Sequence, residues 1–142
     1  MGMFDRTSRI LGVCAAVALA ISSGAVLAKD LKVTLTGAEE TPPVTTSATA
    51  TGTITIKDDK SVSGSITTSG IQGTAAHIHQ GAAGQSGPPV ITLTKGDNGV
   101  WTVPDGSKLT DDQYAAYKAG SLYVNVHSAD HKPGEIRSQL KP

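Results

Sequence analysis

Four histidines are all that this chain of 142 residues contains, and they fall into two tight groups. His77 and His79 stand one residue apart in TAAHIHQGAAGQSGPPV. His127 closes the run SLYVNVHS, and His131 follows in SADHKPG. Neutral imidazole is the commonest metal ligand. The single cysteine is Cys14, inside an apparent leader, so a metal site here draws on histidine, carboxylate or amide donors. Thiolate chemistry and zinc-finger arrangements are excluded. A His-x-His pair is by itself a weak motif, because exposed histidines are common. The clustering of all four imidazoles is what raises a metal site above a solvated surface.

The elements that must position these residues read as strands. LKVTLTG alternates Leu31, Val33 and Leu35 with Lys32, Thr34 and Thr36. ATATGTITIKDD places Ala48, Ala50, Gly52, Ile54 and Ile56 on one side, and SVSGSITTSG continues in phase with Val62 and Ile66. Period-2 runs broken by Gly, Asp and Pro predict an antiparallel all-β sandwich or barrel, with a hairpin turning at Asp58-Asp59-Lys60. One short crossover helix interrupts it: Thr110 and Gln113 form a capping box, Asp111 and Asp112 sit at the positive end of the dipole, and Gly120 is the stop. Two last strands flank the turn at Lys132-Pro133-Gly134.

Alternation then predicts which way the histidines face. His77 and His79 project together, opposite Ala76 and Ile78. In SLYVNVHS, Leu122, Val124 and Val126 go inward, so His127 shares the other face with Tyr123 and Asn125. In GEIRSQL, Ile136 and Leu140 go inward, leaving Glu135, Arg137 and Gln139 outward. The expected site is therefore on the outer wall of the sheet, open to solvent.

Residues 1–28 read as a cleaved signal peptide. Arg6 and Arg9 precede an uncharged apolar run from Ile10 to Ile21, and Val26-Leu27-Ala28 suits a signal peptidase. The run is short for a membrane span, although an uncleaved anchor is the alternative. Residues 29–142 are then one exported domain, periplasmic or secreted, with no membrane attachment in the mature form. Of the chain's 12 basic and 12 acidic residues, 10 and 11 remain once Arg6, Arg9 and Asp5 are removed. That balance speaks against a general nucleic-acid binder.

LTGAEETPPVTTSATATG, GTAAHIHQGAAGQSGPPVITL, LTDDQYAAYKAGSLYVNVHS and KPGEIRSQL together resemble, in order and spacing, the chordin-type (CHRD) domain family. The resemblance covers nearly the whole mature chain. The family's naming repeats belong to an extracellular growth-factor antagonist, which implies a fold more firmly than an activity. A second, more distant resemblance is to copper–zinc superoxide dismutases. There a His-x-His pair, a late Val-His and a Gly-x-x-Arg segment surround copper on the wall of a Greek-key barrel. It implies a Greek-key, immunoglobulin-like or superoxide-dismutase-like β-sandwich or barrel. It also implies copper held by His77, His79 and His127, with His131 as fourth ligand and Arg137 as the catalytic positive charge. Tyr123 and Asn125 would be outer hydrogen-bonding partners. There is no disulfide and no zinc-binding loop, so the site would hold one copper ion and no zinc, with superoxide or another small anion as its substrate.

Plainer readings stand beside these. In these, Arg137 pairs on the surface with Glu135 or Asp130, and His131 is a solvated turn residue. Pro42-Pro43 would set an extended segment, Trp101 would pack in the core, and Glu39-Glu40 would either cap the site or meet a partner. At the level of function, three readings compete: a copper-dependent superoxide dismutase, a copper carrier without turnover, and an adhesion or binding module without metal.

Overall fold

The computed structural model describes residue 18 and residues 27–142; the expected leader otherwise lies outside the described residues. Nine strands form one antiparallel sheet that curls into a nearly closed barrel: β1 (Ala28–Thr36), β2 (Thr49–Lys57), β3 (Val62–Ser69), β4 (Gly73–Gln80), β5 (Pro89–Thr92), β6 (Thr94–Lys95), β7 (Val100–Thr102), β8 (Leu122–Ser128) and β9 (Ile136–Leu140). Their spatial order is β5-β4-β8-β9-β1-β2-β3-β7-β6.

The alternating residues do what their spacing dictates. Leu31, Val33, Leu35, Ala50, Ile54, Ile56, Val62 and Ile66 are all buried in a single core with Ala76, Ile78, Val124, Val126 and Ile136. Trp101 joins them at 3% exposure, as core packing. The β2–β3 hairpin turns at Asp58-Asp59-Lys60. Lys60 takes a positive φ of 72°, and Asp59 accepts hydrogen bonds from the amide and hydroxyl of Ser61.

Closure depends on a segment too short to read as strands from sequence. Residues 89–92 pair with β4, residues 94–95 pair with β7, and buried Leu93 between them donates its amide to Ala76. One continuous run thereby stitches the two ends of the sheet together. On the far side the strands part: β1 meets β9 at the single register pair Thr36↔Arg137, while it pairs with β2 along its full length.

The crossover helix α1 spans Asp111–Lys118 with both halves of the capping box made. Thr110 Oγ1 accepts from the Gln113 amide, and Gln113 Oε1 accepts from the Thr110 amide. Gly120 follows at φ 75°. The amides of Gly120 and Ser121 return to Tyr117 and Ala116, closing the last turn and delivering the chain into β8.

Candidate metal centre

β4 and β8 are neighbours, second and third from the β5 end of the sheet, and their register brings the histidines together. His79 lies opposite Tyr123, His77 opposite Asn125 and Ala75 opposite His127. His77 and His127 are thus diagonal cross-strand neighbours on one face, close enough for long side chains to meet. One ligand atom from each of His77, His79 and His127 lies within 4.8 Å of the others. The ring centroids are 4.9–5.6 Å apart. An ion about 2.0 Å from each nitrogen needs only small ring rotations to draw the three in.

Hydrogen bonds on the outer side of two rings fix which nitrogen faces inward. His79 Nδ1 donates to the Gly87 carbonyl at 2.9 Å, and His127 Nδ1 donates to the Lys132 carbonyl at 2.7 Å. Each Nε2 is then a bare lone pair turned into the cluster, the arrangement by which carbonyls orient metal-binding imidazoles. His77 Nδ1 lies 3.0 Å from His127 Nε2, so these two share one proton. His79 Nε2 is buried and has no partner at all. A cation satisfies that orphaned nitrogen and replaces the shared proton at once. The residues present fit a metal ion.

The expectation of an open outer wall needs correction. His77 and His127 are half-buried, but His79 is 7% exposed, Tyr123 3% and Arg137 1%. Alternation reports correctly which side of the strand these side chains leave from. It does not report that the chain from Gly81 to Pro88 folds back over that side. Arg137 is the pin. Its guanidinium donates to the carbonyls of Gln85 (2.8 Å) and Ala82 (3.0 Å) and to Gln139 Oε1 (2.9 Å). Gln139 in turn donates to the carbonyls of Gly81 and Gly120. Arg137 pairs with neither Glu135 nor Asp130: Glu135 instead accepts from Thr46 and Ser128.

Tyr123 links the pin to the cluster. Its ring stacks on His79 at 4.9 Å with the planes 1° apart. The Arg137 Cζ sits 3.4 Å from the ring centre, on the side of β9. The phenol oxygen accepts from the Gly87 amide at 3.1 Å, and the Gly87 carbonyl is the group that holds His79. Gly87, which sequence reasoning missed, must be glycine, since a Cβ there would drive into the Gln80 backbone. The legible signal was the segment itself: eleven residues from Gln80 to Val90 with no charge, suited to lying on a protein face.

Below the cluster, Asn125 is 1% exposed and Glu40 7%. The amide nitrogen of Asn125 faces Glu40 Oε1 and the Pro133 carbonyl. Gly134, at φ 133°, packs so closely that any Cβ would strike both Glu40 and Asn125. Of the two roles expected for Glu39-Glu40, Glu40 is turned inward beside the site. His131 is not brought into the cluster. Its backbone is taken up by the turn, accepting from Ser128 and Gly134. Its side chain lines a separate surface cavity of about 450 Å³ with Pro42, Pro43 and Val44.

The His77 and His79 imidazoles are biased toward the neutral, metal-binding form. His77 is held below the ordinary value of 6.5 by burial first, then by His127 and His79. His79 is lowered by burial above all; the hydrogen bond to Gly87 and the Asn125 amide oppose this, while His127 and Arg137 add to it. As pH falls below about 6.5 the unfolded chain takes up these protons before the folded one does. The stability they confer is therefore present above that value and lost on acidification. Glu40 runs the other way, since burial raises its carboxyl above 4.5 and it loses stability as pH rises past that point. The melting temperature of metal-free protein should fall between about pH 7 and pH 5, and a His77→Gln/His79→Gln variant should show a flatter slope. An unchanged slope would place the acid sensitivity elsewhere.

The chain matches the CHRD domain family model over residues 31–140. No curated protein and no solved structure matches it. The matched span runs from β1 to the end of β9 and takes in every residue of the histidine cluster and its clamp. This chain belongs to the CHRD domain family.

Proposed function

We propose that this is an exported protein that holds one copper ion on His77, His79 and His127 and disproportionates superoxide there. The observation that carries the reading is the convergence of three imidazoles on one point, with the buried His79 Nε2 left unpartnered. Copper is favoured because an all-imidazole donor set suits it and because it heads the affinity order of the divalent first-row metals. Bound copper would supply one-electron chemistry, by which two superoxide ions and two protons give oxygen and hydrogen peroxide.

The chain's own residues have distinct tasks in this reading. Gly87 and Lys132 orient His79 and His127 through their carbonyls. Tyr123 and the folded-back loop keep water from the His79 side, while half-buried His77 and His127 leave the other side open to a small anion. Arg137 is buried and held by three hydrogen bonds, so it acts through Tyr123 and the loop as a positioning residue. Exposed Lys132, next to His127 in the turn, is better placed to attract an anion.

The engagement of Arg137 is also the observation that favours a second reading, a copper carrier without turnover. Equilibrium dialysis against copper and zinc, followed by chelator competition, tests the shared premise. One copper per chain retained in preference to zinc supports it. Selective retention of zinc removes the redox chemistry, and no retained metal leaves a binding module.

A further inference from the structure

Among the described residues, two buried side-chain polar atoms have no hydrogen-bond partner: His79 Nε2 and Asn125 Oδ1. They belong to the same place. Asn125 lies directly opposite His77 across the β4–β8 ladder, between Tyr123 and His127 on the site's face, and its side chain sits beside His79. Buried polar atoms are almost always paired, and two unpaired ones in one site point to a ligand that satisfies both.

The orientation of the amide is set by its neighbours. Its nitrogen faces two acceptors, Pro133 O at 3.4 Å and Glu40 Oε1 at 3.5 Å. Flipping the amide would turn its oxygen on the Glu40 carboxyl and the Pro133 carbonyl, so the network assigns the oxygen to the other direction. On that side lies His79, whose own proton is committed to Gly87. Gly134 seals the amide from below, because any side chain at that position would displace both Glu40 and Asn125. The result is a set of lone pairs, nitrogen and oxygen, turned inward with no proton available for at least two of them.

Resting on the metal reading above, we infer that Asn125 Oδ1 is the fourth protein donor to the ion, in the place that the sequence suggested for His131. A carbonyl oxygen is a hard donor. It supports a divalent ion and contributes little to soft Cu(I), so Asn125 would set the preference of the site between the two copper states. Glu40 and Pro133 hold the amide in place.

The test compares Cu(II) and Cu(I) affinities by chelator competition in wild-type protein, Asn125→Ala, and Asn125→Asp made in a Glu40→Gln background. The Glu40→Gln change relieves the clash of two carboxylates and is also measured alone. Asn125→Ala should weaken Cu(II) binding by about 100-fold or more, beyond the 10- to 100-fold typical of removing a partner outside the ligand set, with Cu(I) binding nearly unchanged and an altered Cu(II) paramagnetic resonance spectrum. The aspartate variant keeps the oxygen and loses the amide nitrogen; it should bind Cu(II) at least as tightly as the Glu40→Gln parent. Cu(II) binding equally weakened in the alanine and aspartate variants would make the nitrogen's contacts the important ones and overturn the inference. An alanine variant with wild-type Cu(II) affinity and spectrum overturns it too, while leaving the three-histidine site intact. Wild-type protein that binds no copper overturns both. Because the aspartate variant retains side-chain volume, it decides the question even if Asn125→Ala does not fold.

Discussion

Replacing His79 by alanine is expected to lower copper affinity by more than about 100-fold, beyond the 10- to 100-fold typical of removing a partner outside the ligand set. The two remaining histidines cannot compensate, because His77 and His127 are hydrogen-bonded to each other at 3.0 Å and must break that contact to bind metal alone. The metal-free fold should survive. Stacking on Tyr123 is lost, at about 0.5–1.5 kcal/mol, but an unsatisfied buried nitrogen goes with it. Thermal melts with and without copper separate these effects. At copper about 100-fold above the dissociation constant, wild-type protein gains about 2.7 kcal/mol and melts higher, whereas His79→Ala shows no such rise. A variant that keeps the copper-induced shift would show that the ion sits elsewhere.

The second large effect belongs to Arg137. Substitution by leucine removes three hydrogen bonds at 2.8–3.0 Å; the Gln85 carbonyl loses its donor, while the Ala82 carbonyl keeps only the Gln85 amide. Bonds from a charged donor contribute about 1.5–3 kcal/mol each. A destabilisation of about 3 kcal/mol or more is therefore expected, measurable as a lower midpoint in urea. Lysine should not rescue it, since a single ammonium cannot reproduce the planar fork that reaches two carbonyls and a side-chain oxygen together. The readout specific to positioning is copper affinity. It should fall in both variants, because the loop that presents the Gly87 carbonyl to His79 is no longer pinned. If Arg137→Lys retains full stability and copper affinity, the clamp has been misassigned.

Much of this was legible beforehand because the physics involved is local. Period-2 alternation settles which side of a strand a residue leaves from, so the shared face of His77, His79, His127, Tyr123 and Asn125 follows from sequence. The capping box from Thr110 to Gln113 is similarly a matter of four residues. What covers a face is not local. Nothing in the alternation of GEIRSQL distinguishes an Arg137 in water from one held under a returning loop, and the two differ in function as well as burial. His131 illustrates the same limit, since its proximity to His127 in sequence carries no information about a turn that sends its side chain toward Pro42 and Pro43. Barrel closure through residues 89–95 escaped for another reason: β5 and β6 are four and two residues long, below the length at which a period can be read.

The most direct test of the proposed function is the decay of superoxide in the presence of copper-loaded protein freed of loosely held metal, beside a His127→Ala variant prepared identically. Free copper dismutates superoxide by itself, so a chelator is present throughout. The proposal predicts rapid decay, approaching the diffusional ceiling of about 10⁸–10⁹ M⁻¹s⁻¹, that survives the chelator and collapses in His127→Ala. Tightly held copper with no decay above background would contradict it and leave a carrier.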